Sequence, residues 1–104
     1  APIVVHVGRT TKVTVSLGYD VSSDVITSQI RKDKDPTSTL IATWNVEFLT
    51  DGVDGELVLT LDNSESTGIT PSIGYMDLKR VSGGEPYSIF DQPLQVVFRK
   101  VVTT

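Results

Sequence analysis

Apolar and polar residues alternate with a period of two along most of this chain, and the alternation is cut at intervals by glycine, proline and aspartate. Thr10 to Leu17 shows it most cleanly. Thr11, Val13, Val15 and Leu17 fall on one side, and Lys12, Thr14 and Ser16 on the other. Pro2 to Val7 reads as a first strand, with proline suited to a strand start or an edge. Gly18 to Asp24 reads as a turn. Val25 to Lys32 is a third strand with Ile26, Ser28 and Ile30 inward. The charged run Arg31 to Asp35 before Pro36 predicts a solvated loop.

Leu40 to Leu49 is the fourth predicted strand. Leu40, Ala42, Trp44, Val46 and Phe48 share its inner face, and Trp44 is expected at the centre of the core. Burying that ring is worth roughly 2–3 kcal/mol or more. Two Asp-Gly pairs between Thr50 and Gly55 predict a turn. Glu56 to Asp62 follows as a strand with Leu57, Leu59 and Leu61 inward. Asn63 to Thr70 predicts a turn or a short 3₁₀ helix, with Asn63 as its cap and Gly68 as its end. Ile73 to Val81 reads as one strand, with Gly74, Met76, Leu78 and Arg80 on one face. A turn at Ser82 to Pro86, a short extended piece from Tyr87 to Phe90, and a last strand from Leu94 to Val102 complete the chain.

Seven to eight short strands at even spacing predict an all-β sandwich or small barrel, as a single domain over residues 1–104. The 104 residues suffice for one apolar core. The absence of cysteine excludes disulfides and thiolate chemistry. A net charge of −4 argues against nucleic acid as a partner. No apolar run is long enough to span a membrane as a helix.

Several stretches carry a resemblance. They are Ile26-Thr27-Ser28-Gln29-Ile30-Arg31, Asp51 to Leu57, Leu59-Thr60-Leu61-Asp62, Gly74 to Arg80 and the Gly84-Glu85-Pro86-Tyr87 turn. In this layout the chain resembles small immunoglobulin-like modules of tailed-phage and prophage structural proteins, over about three quarters of its length. Where those modules often carry a tryptophan after the tyrosine, this chain has Met76. They usually continue into a longer fibre or tail-binding region. An end at Thr104 fits a stand-alone version or one excised domain. The resemblance implies an immunoglobulin-like antiparallel β-sandwich, located in a virion, that binds other virion proteins or copies of itself, a homo-oligomer included. It implies no enzyme, no metal and no cofactor.

The residues offer little catalytic chemistry. His6 is the sole histidine, and no Gly-x-Ser-x-Gly elbow accompanies it, so a small hydrolase ranks last. Asp51, Asp54 and Glu56 lack the full spacing of a calcium loop and suit turns better. Arg31, Lys32 and Lys34 are interleaved with acids and read as a solvated loop. The expected activity is therefore contact. The first strand, Ile3 to Val7, and the last, Leu94 to Val102, are the expected sheet edges. Ile3, Val5, Tyr75, Tyr87, Val97 and Arg99 are the expected interface residues. The competing expectation is a carbohydrate- or cell-surface-binding module, which calls for an exposed aromatic side chain.

Overall fold

The computed structural model describes residues 2–103; the outer ends of the expected domain, Ala1 and Thr104, lie outside them. Strands take up 49% and helix 4%, which makes the chain all-β. The elements are β1 (Ile3–His6), β2 (Thr11–Ser16), β3 (Val25–Arg31), β4 (Leu40–Phe48), β5 (Glu56–Leu61), α1 (Asn63–Ser66), β6 (Ile73–Met76), β7 (Lys79–Ser82), β8 (Glu85–Ser88) and β9 (Leu94–Arg99). Hydrogen-bonded neighbours run β1-β9-β6-β3-β4-β5-β2, with β7 and β8 branching off β3. The result is one nearly barrel-shaped mixed sheet. Every pair is antiparallel except β1 with β9, which run parallel.

The chain changes pairing partner inside β4. Its first half pairs with β3, where Ser28 faces Trp44 and Ile30 faces Ala42. Its second half pairs with β5, starting at Asn45 opposite Thr60. Trp44 thus sits at the change of partner, and its ring is 3% exposed. Around it lie Ile30, Leu57, Leu59, Leu61, Met76, Leu78 and Val96, all buried. The alternation of β5 explains its share: odd residues point inward and are fully buried, while Glu56, Val58 and Thr60 are half-buried outside. Leu40, expected on the inner row, is exposed at the start of β4. The indole N–H of Trp44 finds no protein acceptor. That subtracts about 1–3 kcal/mol from what the ring contributes.

The expected strand Ile73–Val81 is broken. β6 and β7 both pair with β3 in one register, Ile30 opposite Met76 and Thr27 opposite Lys79, but Asp77 and Leu78 between them leave the ladder. The hydroxyl of buried Ser28 donates to the Asp77 carbonyl at 2.6 Å and takes the place of a ladder bond. On the far side, β8 pairs up to Ser88 opposite Lys79, and β9 resumes at Leu94 opposite Met76. Two residues, Asp77 and Leu78, therefore face five, Ile89 to Pro93, and the surplus bulges out. Ser28→Ala should cost about 1 kcal/mol, because it removes the donor that answers the Asp77 carbonyl at the break. Urea denaturation would measure this, and a loss below about 0.5 kcal/mol would mean that the break is held by something else.

Two further expectations change. The 63–66 segment is one α-helical turn capped by Asp62, not by Asn63. The Asp62 carboxylate accepts from the Asn63 N–H, which an aspartate one residue earlier can reach. The last strand stops at Arg99 and is no edge, since β1 covers one side of it and β6 the other. The chain ends of the hydrogen-bonded path are β1 and β2.

Candidate interaction site

A groove of about 590 Å³ runs over the outer face of β3 and β6. Its floor is set by strand alternation. Thr27, Gln29 and Arg31 point outward from β3; Thr27 and Arg31 meet Lys79 and Tyr75 across the ladder, and Asp77 lines the groove from the break between β6 and β7. One wall is the loop after β3. There Lys32 N–H donates to the Thr39 carbonyl at 2.9 Å, and the Arg31 guanidinium donates to the Ser38 carbonyl at 2.8 Å. Arg31 also donates to Gln29 Oε1 at 2.9 Å. The other wall is the bulge after β8, through Ser88 and Pro93.

The groove's charges largely answer one another. Arg31, Lys34 and Lys79 line it with Asp33, Asp35 and Asp77. Lys34 Nζ lies over the Tyr75 ring, 5.3 Å from its centre. Asp35 accepts from the backbone N–H and the hydroxyl of Thr37, which holds its carboxyl below the usual value. Asp20 is lowered in the same way by Ser22. His6 lies on β1 and does not line the groove, so no Ser-His pair forms there.

Asp51 and Asp54 do not converge on an ion. Each carboxylate accepts the N–H two residues on, of Val53 and of Glu56, both at 3.0 Å. Among the described residues no three His, Asp or Glu side chains form a group able to hold a metal. No helix among them is long and apolar enough to cross a membrane.

The expected interface residues scatter. Val5 is fully buried, because alternation turns it into the core opposite Phe98. Ile3 and Val97 are half-buried on β1 and β9, and Arg99 is exposed at the end of β9. Tyr75 lies in the groove, while Tyr87 is exposed on β8. These six do not form one surface.

A different cluster went unread in the sequence. The Arg80 guanidinium stacks between Tyr19 and Tyr87, 5.1 Å from each ring centre. Its Nε lies 3.5 Å from Asp24 Oδ2, an ion pair rather than an aligned hydrogen bond. Asp24 is almost wholly buried there, and Val21 beside it is fully buried. The only sequence signal was Arg80 falling on the apolar face of its strand. Tyr19 came from a turn, where periodicity says nothing. The Arg80 side chain is mostly buried here, with its Nε shielded from solvent between the two rings. No protein-family model matches the chain, and no curated protein sequence is similar to it.

Proposed function

We propose that this chain is a non-enzymatic structural module of a phage or prophage particle, built as an immunoglobulin-like sandwich. It works by binding a neighbouring virion protein or further copies of itself. The single observation that carries the reading is the open sheet: the path ends at β1 and β2 without closing, so strand edges remain for another chain. The fold reading draws support from pairing. β2, β5 and the second half of β4 make one layer, and β3, β6 and β9 the other, as in the two sheets of that architecture.

Light scattering over a range of concentrations tests the proposal, together with co-purification against the products of neighbouring genes. Growth of mass with concentration, or capture of a tail or head protein, is the expected result. A strict monomer that binds neither kind of protein would overturn it.

The carbohydrate-binding alternative no longer has Trp44 to offer, since that ring is buried. It keeps the groove, where Tyr75 lies beside Gln29 and Asp77.

A further inference from the structure

We infer that β2 is the edge through which two copies of this chain pair, antiparallel and two-fold about Thr14. This rests on the reading of the chain as a self-assembling module and names the surface that reading needs.

Among the described residues three strands have only one neighbouring strand: β1, β2 and β8. Along any strand, residues alternate between those bonded to the neighbour and those facing away. Single hydrogen bonds just beyond each strand reveal the phase. Val7 N–H donates to the Arg99 carbonyl, so odd residues of β1 bond β9 and even ones face outward. There Pro2 has no N–H, and the His6 carbonyl already accepts from Arg9. Ile89 N–H donates to the Leu78 carbonyl, so Pro86 and Ser88 of β8 face outward, and Pro86 again has no N–H. Both edges are thus blunted, and both strands are only four residues long.

β2 is not blunted. Leu17 N–H donates to the Gly55 carbonyl at 2.9 Å, one pair beyond Ser16 opposite Glu56. Thr11, Val13 and Val15 therefore bond β5, while Lys12, Thr14 and Ser16 turn three N–H and three C=O groups outward. All three residues are exposed, and no proline interrupts the strand.

Only outward-facing residues can pair across a new ladder. A two-fold on Thr14 sets Thr14 against Thr14, and Lys12 against Ser16 of the second copy. All six outward groups are then bonded. Moving the axis to Val13 or Val15 leaves one of the three residues out, and moving it to Lys12 opposes like charges. The Thr14 register also suits the charges. Beyond Ser16, on the same face, stands Glu56. Lys12 of the second copy lies two strands from it, about 10 Å, across a small serine. On the other face, half-buried Val13 meets Val15 of the second copy.

Cysteine cross-linking tests the pairing, since the chain has no cysteine of its own. Thr14→Cys should give a disulfide-linked dimer under mild oxidation, because directly opposed residues lie about 5.5 Å apart at Cα. Ser16→Cys alone should not, since its two copies lie four residues out of register; mixed with Lys12→Cys it should. Thr14→Lys, which keeps the bonds to β5, should weaken association in sedimentation on the order of tenfold or more. Equal cross-linking of Ser16→Cys and Thr14→Cys would overturn the register. If the wild-type chain dimerises but Thr14→Cys does not cross-link, the edge is wrong and self-assembly stands. If it stays monomeric yet captures a virion protein, self-pairing falls and the module reading stands.

Discussion

Trp44→Ala is expected to lose about 3–5 kcal/mol of stability, the range for deleting a large buried ring. A domain of this size holds roughly 5–15 kcal/mol in all, so the loss removes a large fraction of the total and should lower the urea midpoint clearly. The reason lies in the strand pairing. Trp44 is the last residue of β4 in register with β3, and Asn45 is the first in register with β5. The ring lies in the core at the point where β4 changes pairing partner, so the gap left by alanine opens beside both ladders. Trp44→Phe should cost much less, about 1.5 kcal/mol or below, because it keeps an aromatic ring and removes the unpartnered indole N–H. Urea denaturation followed by far-UV circular dichroism measures both. An alanine variant with an unchanged midpoint would show that the ring does not hold the two halves together.

Gly55→Ala is the second large effect, and its cause is different. Gly55 has φ +77°, where a side chain costs about 1–2 kcal/mol. A Cβ there would also lie 2.3 Å from the Tyr19 carbonyl and 2.9 Å from its nitrogen. Both are backbone atoms, which cannot swing aside. Moving them pulls on the bonds from Leu17 to Gly55 and from Val21 to Gly52, which dock the 17–24 turn. The loss should therefore exceed 2 kcal/mol on the order of the strain alone. Gly68→Ala is the control. Its φ is +85°, but nothing lies within 4 Å, so it should lose only about 1 kcal/mol. Equal midpoints for the two variants would remove the contact with Tyr19 from the explanation.

Much of the fold was legible one strand at a time. The alternation of Ile26, Ser28 and Ile30, and of Leu57, Leu59 and Leu61, named buried positions correctly because a half-covered strand leaves that mark. Val5 obeys the same rule: β1 does lie at a sheet edge, but the inward side of an edge strand is still core, so Val5 is buried rather than free for contact. The break at Asp77 left no mark, since the faces of β6 and β7 continue in phase across it. The candidate surfaces were less legible. The groove is made by neighbours far apart in the chain, and Arg80, which faces Tyr87 directly across the β7–β8 hairpin, meets Tyr19 only through the tertiary fold.

By itself, the order of residues determined an all-β chain, the inward rows of its strands and the sites of its turns. These depend on side-chain period and on backbone preferences a few residues long. Tertiary structure alone decided which strands lie at the margins, and that β9 is interior while β2 is open. A strand's neighbours are set by contacts across the whole chain, and the same alternating pattern suits a central or a marginal place equally well.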